Sequence, residues 1–188
     1  MIFFKACAKK LMFDCHSLKT PGLKLKAFIL HEMDQDKRSF LEAGLWDPLQ
    51  NLSEDTTSNW GKMNAQQMLE HLEDFFSVSI EKKMYALVTP EEQLPLYKQF
   101  LYSDKKFREN TKAPIAIIGE EPLPIRTSSL EESKQQLQQT IKAFFKYFTD
   151  HPGKQTVHPV FGLLNFEEWV LLHYKHVTHH YRQFSLLH

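Results

Sequence analysis

The stretch NFEEWVLLHYKHVTHHYRQF, residues 165–184, sets the expectation for the whole fold. Its apolar side chains recur every three or four positions, which is the spacing of one face of an α-helix. Asn165 is a favourable N-cap, and Glu168 stands three residues later, at the capping-box position. We therefore expect a long amphipathic helix from Phe166 to about Phe184. Its apolar stripe consists of Val170, Tyr174, Val177, Tyr181 and Phe184.

Two further helices are marked by the same kind of cap. One begins after Asn64, with Gln67 at the capping-box position, and its apolar pattern runs through Leu87. The other begins after Ser129, with Glu132 three residues later, and a Pro–Gly pair ends it. Both have an apolar face that predicts burial against other helices. The residues of these two faces are Met68, Leu72, Phe75, Phe76, Leu137, Ile141, Phe144 and Phe148.

A fourth helical segment precedes these three, from about Asp36 to Leu52, and Pro48 is expected to kink or split it. Residues 89–128 contain five prolines and predict a long irregular connection, of the kind that is often functional, with a short helix near residues 96–102. Only the apolar run at residues 115–118 suggests a strand. The expected fold is all-α, a four-helix bundle with a long irregular connection between its second and third main helices.

Charge and composition divide the 188-residue chain into two parts. Hydrophobic residues make up 42% and charged residues 24%, a globular composition that excludes a disordered or fibrous chain. The 23 basic and 23 acidic residues balance, which argues against a nucleic-acid partner. Residues 1–31 contain six lysines and a single acidic residue. We expect a basic, poorly ordered extension over residues 1–31, or a surface-binding arm, followed by the helical domain over residues 32–188.

The sequence predicts a cytoplasmic protein without membrane contact. Cys7 and Cys15 are too few for a disulfide framework in a chain of this size. No apolar run is long enough to span a bilayer, and the N-terminal residues lack the pattern of a secretory signal. A helical bundle with 15 phenylalanines is also compatible with a homodimer.

The histidines of the last helix are the strongest sign of chemistry. His176 and His180 are four residues apart, so they lie one turn apart on one face and can chelate one metal ion. His71 lies within the apolar face of the second helix and is the best third ligand, although a hydrogen-bonded core histidine is an equal reading. His173 shares a stripe with His176, so that pair stays open too. His179 falls off this stripe and is expected to be more exposed, or to support a ligand.

Other residues near the expected site have weaker assignments, and no catalytic residue is assigned. Glu168 is explained by its capping position, although its carboxylate could also orient a ligand. Gln183 lies one turn beyond the second histidine of the pair and is expected to line the pocket or to hydrogen-bond a ligand. His179 has the chemistry of an acid or base. His158 is expected near the mouth of the bundle, and Trp60 is expected to be a packing residue.

Two blocks of the sequence resemble the signatures of the DinB/YfiT-like superfamily, in particular a poorly characterised branch of it. The first block is WGKMNAQQMLEH, residues 60–71, which fits the pattern WGKM-x-x-x-QM-x-x-H. The second block begins with HPVFGLLN, residues 158–165, and continues through the Glu–Trp pair at 168–169 to the histidines and Gln–Phe of residues 173–184. Together the blocks cover about residues 34–188.

The resemblance implies a four-helix bundle that binds a divalent metal ion through three histidines, one from an early helix and two from an HxxxH on the last. Carried over by motif, these are His71, His176 and His180. Nickel, zinc, iron and manganese all suit such a site. Several relatives use a low-molecular-weight thiol as cosubstrate. Because a divalent ion lowers the pKa of bound water and deprotonates a thiol, the implied function is thiol S-transfer or hydrolysis of a small molecule.

Two other functions stay open at this point. One is a non-catalytic stress-response protein that binds a metal ion or a small ligand. The other is a metal-free helical module that acts through its surface. Metal content distinguishes the metal-free module from a metal-dependent enzyme. Turnover distinguishes the non-catalytic binding protein from such an enzyme.

Overall fold

A computed structural model describes residues 35–111 and 121–187 of the chain. The described part is mostly helical, as the sequence predicts, with one small two-stranded sheet. A π-helical turn, Phe40–Gly44, follows helical residues 35–39, and a 3-10 turn, Glu91–Gln93, precedes α3. The expected extension over residues 1–31 and the apolar run at 115–118 lie outside the described residues. The elements in chain order are α1 (Trp46–Leu49), α2 (Ala65–Ser79), α3 (Leu94–Leu101), α4 (Leu130–Asp150), β1 (Thr156–His158), β2 (Gly162–Leu164) and α5 (Phe166–Gln183).

The three long helices begin at the caps that the sequence predicts. The Asn64 side chain accepts from the backbone N–H of Gln67 at 2.8 Å, and the Gln67 side chain accepts from Asn64 in return. Asn165 and Glu168 form the same capping box at the start of α5. Ser129 accepts from the N–H three residues later at the start of α4. Each cap satisfies a helix donor that would otherwise lack a partner.

The first helical segment is split just before Pro48. The backbone N–H of Leu45 donates to the carbonyl of Phe40 at 2.9 Å, which closes the π-helical turn before α1 begins. Pro48 has no N–H to donate to the carbonyl four residues earlier, so a regular α-helix cannot continue unbroken through this point. Leu41, Leu45 and other residues of the segment still face the core.

α2 ends earlier than its apolar pattern predicts. The pattern runs through Leu87, but the helix ends at Ser79. Glu81 follows with a φ of 59°, a left-handed conformation that is typical of helix ends. The hydroxyl of Thr156 donates to the Ser79 carbonyl at 2.9 Å. The β-hairpin, rather than a further helical turn, therefore supplies the hydrogen-bond donor for the carbonyl at the end of α2.

The β-hairpin between α4 and α5 is not predicted by the sequence pattern. Its strands have three residues each, which is too short for alternation to be recognised. The inward residues are buried, while Val157 and Leu163 on the outward face are exposed. Gly162 has a φ of 74°, which favours glycine at the turn. The antiparallel register pairs Thr156 with Leu164, Val157 with Leu163 and His158 with Gly162.

The hydrophobic core lies where α2 packs against α4 and α5. Phe76 of α2 meets Phe144 of α4, with ring centroids 5.6 Å apart. Trp169 of α5 is fully buried, and its Nε1 donates to the Thr156 hydroxyl at 2.8 Å. α3 packs on α5. Among residues 35–111 and 121–187, no helix combines the length and the apolar character that crossing a bilayer requires.

The end of the long connection is tied to α2 by one buried carboxylate. Glu70 is 5% exposed, and it accepts hydrogen bonds from the backbone N–H groups of Arg126 and Thr127 at 2.9 Å. The hydroxyl of Thr127 donates to the same carboxylate at 2.7 Å. These bonds fix residues 126–127 beside the part of α2 that carries His71.

Candidate metal centre

α2 and α5 bring three histidine rings together. Nε2 of His176 lies 3.0 Å from Nε2 of His71 and 3.0 Å from Nε2 of His180. The ligand atoms of all three rings lie within 4.8 Å of one another. The His71 ring stands nearly perpendicular to both other rings, at centroid distances of 4.9 Å. We call these three residues the histidine triad.

The donor set of the triad fits a divalent transition-metal ion. Two imidazole nitrogens that bind one ion at about 2.1 Å are roughly 3–3.4 Å apart, and the two 3.0 Å separations agree with this. As hydrogen-bonding groups alone, the rings are poorly satisfied, because one Nε2–H can point at only one of two neighbouring nitrogens. Nδ1 of His176 is also buried without a hydrogen-bond partner among the described residues.

Burial keeps the triad rings neutral. Desolvation lowers the pKa of His71 to about 4. Desolvation, with repulsion from neighbouring histidines, lowers the pKa of His176 and of His180 well below the usual histidine value. A neutral imidazole has a free lone pair, and only this form binds a metal ion. At pH 7 the triad therefore presents nitrogen donors in the form that metal binding requires.

Gln183 orients one ring of the triad. Its Oε1 lies 2.7 Å from Nδ1 of His180, so Nδ1–H donates to it and Nε2 carries the lone pair. Its Nε2 donates to the carbonyl of Trp60 at 2.6 Å. Gly61 has a φ of 79°, and a Cβ there would lie 2.6 Å from the Gln183 amide nitrogen. The Trp–Gly pair thus supports Gln183, and both the positive φ and the close approach favour glycine at position 61.

His173 lies in the aromatic core and not in the triad. Its ring is fully buried and stacks on Phe76 at a centroid distance of 3.7 Å, with Trp169 at 5.3 Å. Neither ring nitrogen has a hydrogen-bond partner among the residues described. The alternative pairing of His173 with His176 does not occur, because the ring of His176 contacts those of His71 and His180 instead.

Glu168 and His158 have structural roles. Glu168 completes the α5 capping box, and its other oxygen accepts from Lys98 at 2.9 Å and from Tyr102 at 2.8 Å. Nδ1 of His158 accepts from the backbone N–H groups two and three residues later, at 3.0 and 3.2 Å. His158 is 5% exposed, and desolvation lowers its pKa to about 3. It holds the hairpin turn and is buried, not placed at an open mouth.

His179 is buried, although its position off the apolar stripe predicts exposure. The side chain is 7% exposed. The rings of Trp60 and Phe107 lie 5.8 and 5.9 Å from its ring, so the loops before α2 and after α3 cover it. Helix periodicity cannot report such a contact, because the covering residues come from distant parts of the chain. Desolvation, followed by the charge of Arg182, lowers the pKa of His179.

An open cleft of about 740 Å³ lies against His179, and we call it the side cleft. Trp60 and Phe107 contribute aromatic surface to it, and Arg182 of α5 lines it as well. The sequence pattern treats Trp60 as packing and assigns no role to Arg182. The lining residues come from separate parts of the chain, so no local sequence signal marks this cleft. The His179 ring lines the cleft and neighbours the triad, with its centroid 5.1 Å from that of His180.

These features define a mostly helical protein with a three-histidine group shared by two helices. Residues 41–186 match the sequence model of a family described as protein of unknown function (DUF1569), and the chain belongs to this family. No curated protein and no solved structure matches the chain. The matched span includes the whole triad and the loops that form the side cleft.

Proposed function

We propose that this protein is a metal-dependent enzyme of the DinB-like class, with a histidine-bound divalent cation that serves thiol S-transfer or hydrolysis of a small molecule. The convergence of three Nε2 atoms from two helices carries the proposal. The two sequence blocks that resemble the superfamily signatures support it, because each of them supplies part of the triad. Nickel, zinc, iron or manganese is the proposed metal, and a low-molecular-weight thiol is the proposed cosubstrate.

In this proposal the fold is a DinB-like four-helix bundle. Its helices are the segment over residues 35–49, then α2, α4 and α5. The packing of α2 against α4 and α5 supports this arrangement, as does the contact of the first segment with α4 and α5. The hairpin and α3 are additions to the bundle. In this arrangement the long connection joins α2 to α4.

Each residue of the centre has a defined part in the proposed chemistry. The bound cation supplies Lewis acidity, which favours the deprotonated form of water or a thiol. His71, His176 and His180 bind it as neutral ligands through Nε2. Gln183 holds the His180 ring in the tautomer that binding requires. Phe75, whose ring centroid lies 4.1 Å from that of His176, shields the triad from water on that side.

Metal analysis of the purified protein tests the first step of the proposal. Wild-type protein, prepared without chelator, is expected to carry stoichiometric divalent metal by elemental mass spectrometry. His71→Ala is expected to lose it, because two ligands from a single helix bind far more weakly than three. His151→Ala is the matched control, since it removes an exposed histidine outside the triad and should retain the metal. Wild-type protein that binds no metal would refute the proposal and favour the metal-free module.

Turnover by the metal-loaded protein tests the second step. The wild-type protein is incubated with a thiol and a chromogenic electrophile, and separately with activated esters for hydrolysis. Thiol consumption that depends on the metal and disappears in His71→Ala is the expected result. Stoichiometric metal without turnover on any thiol or ester would instead favour a non-catalytic binding protein.

A further inference from the structure

The side cleft contains polar groups that have no hydrogen-bond partner within residues 35–111 and 121–187. Nε1 of Trp60, Nδ1 of His179 and Nη2 of Arg182 are all buried, and none of them has a hydrogen-bond partner among the described residues. All three side chains line the side cleft. Buried polar groups in proteins are nearly always paired, so three such atoms around one cleft call for a common explanation.

The charge of the side cleft is positive. Arg182, Lys106 and Arg108 line it, against a single acidic residue, Glu109. None of the three cationic side chains forms an ion pair within the part of the chain that the structure describes, whereas Arg126 and Lys98 elsewhere both do. Unpaired cations on the walls of a concave site raise the local concentration of anions.

The cleft is built onto the end of α5 that carries the triad. The backbone N–H of Asn59 donates to the Gln183 carbonyl at 2.8 Å, and its side chain donates to the Arg182 carbonyl at 3.2 Å. Gln183 joins Trp60 to His180, at 2.6 and 2.7 Å respectively. A ligand in the cleft would therefore lie beside the triad, held by residues that also support it.

We propose that the side cleft binds an oxyanion, the carboxylate or phosphate group of the small molecule that reaches the histidine triad. The Arg182 guanidinium and the Trp60 indole N–H donate to the anion when the two side chains turn towards the cleft. A guanidinium matches the geometry of carboxylate and phosphate oxygens. Nδ1 of His179 is the third polar contact for the ligand. The faces of Trp60 and Phe107 favour a ligand with an apolar or aromatic part next to the anion. The reactive role of such a ligand rests on the proposed function, but its binding does not require the metal.

The indole N–H signals of the three tryptophans allow a direct test. Nitrogen-15-labelled, metal-free protein is titrated with benzoate or phenyl phosphate, and with benzyl alcohol as the uncharged control. The Trp60 signal, assigned with Trp60→Phe, is expected to shift with the anions and not with the alcohol, because its N–H gains an acceptor. The Trp169 signal should stay in place, since its N–H already donates to Thr156. The tighter of the two anions identifies the carboxylate or the phosphate as the group recognised.

Two sets of variants distinguish the cleft from general charge effects. Arg182→Gln is expected to weaken anion binding roughly tenfold or more, as the loss of a charge-assisted hydrogen bond does. Arg38→Gln removes an equal charge outside the cleft and should leave affinity within about twofold. The double change Lys106→Gln with Arg108→Gln alters exposed residues only, so it decides the matter if Arg182→Gln fails to fold. It should weaken binding several-fold and reduce the salt dependence.

The outcomes separate this inference from the proposed function. Anion binding that persists in metal-free His71→Ala supports the cleft whether or not the metal proposal holds. Three results would overturn the inference: an unmoved Trp60 signal, an unchanged affinity in both cationic variants, or anion binding only when metal is present. The last of these would place the anion on the metal and leave the metal proposal intact.

Discussion

The buried state of His158 makes a quantitative prediction about acid stability. In the unfolded chain a histidine gains a proton below its ordinary pKa of 6.5, whereas desolvation lowers the pKa of His158 in the folded protein to about 3. The folded pKa is the lower one, so the unfolded chain binds the proton first as the pH falls. The free energy of unfolding is therefore unaffected by the titration of His158 above pH 6.5 and decreases as the pH falls from 6.5 towards 3.

The magnitude follows from linkage. Each pH unit between the two pKa values costs about 1.4 kcal/mol of unfolding free energy per histidine. From pH 7 to pH 5 the loss from His158 is therefore about 2 kcal/mol. Because pH 5 is well above the folded pKa, this figure barely changes if that pKa is one unit higher.

His158→Asn isolates this contribution. The amide oxygen of asparagine can replace Nδ1 as acceptor for the two turn N–H groups, and asparagine does not titrate. Urea unfolding of chelator-treated wild type and variant at pH 7 and pH 5 gives the four free energies needed. The variant should lose about 2 kcal/mol less than the wild type between these pH values. The other buried histidines titrate in both proteins and cancel, so an equal loss in both would refute the reasoning.

Three further changes test other parts of the structure. Gln183→Leu removes the acceptor of the His180 Nδ1–H. Metal affinity, measured by chelator competition, should therefore fall about 10–100-fold. An unchanged affinity would show that this hydrogen bond has no role in metal binding. Asn165→Ala removes the N-cap of α5. The free energy of unfolding, measured in urea, should fall by about 1 kcal/mol without a change in the m-value. An unchanged unfolding midpoint would contradict the capping role. His173→Leu replaces a ring whose two buried nitrogens have no partner among the described residues with an apolar side chain of similar volume. It should raise the unfolding free energy by about 1 kcal/mol with metal content unchanged, whereas a loss of stability would indicate that the nitrogens have a partner.

The starts of the long helices could be predicted because their causes are local. A cap at Asn64 or Asn165 and its partner three residues later lie on one short stretch of chain, and the structure confirms both. The end of α2 could not be predicted in this way. It depends on the Thr156 hydroxyl, which is distant in sequence and meets the Ser79 carbonyl only in the folded protein.

The candidate site shows the same division. His176 and His180 share a helix face by spacing alone, and the apolar neighbours of His71 turn it toward the same core, so the group could be found from sequence. The side cleft could not be found in this way, because its walls come from the loop before α2, the loop after α3 and the end of α5. The burial of His179 follows from Trp60 and Phe107, which helix periodicity does not report.

The hydroxyl of Thr156 also determines how α2 and α5 are aligned along their lengths. It donates to the carbonyl at the end of α2 and accepts from the indole of Trp169 near the start of α5. The eight residues from Ser79 back to His71 correspond to about 12 Å of helix. A shift of one helical turn, about 5.4 Å, exceeds the 3.0 Å between Nε2 of His71 and Nε2 of His176 and would separate the two. The nine-residue hairpin, residues 156–164, thus helps to set the spacing between the nitrogens of the triad.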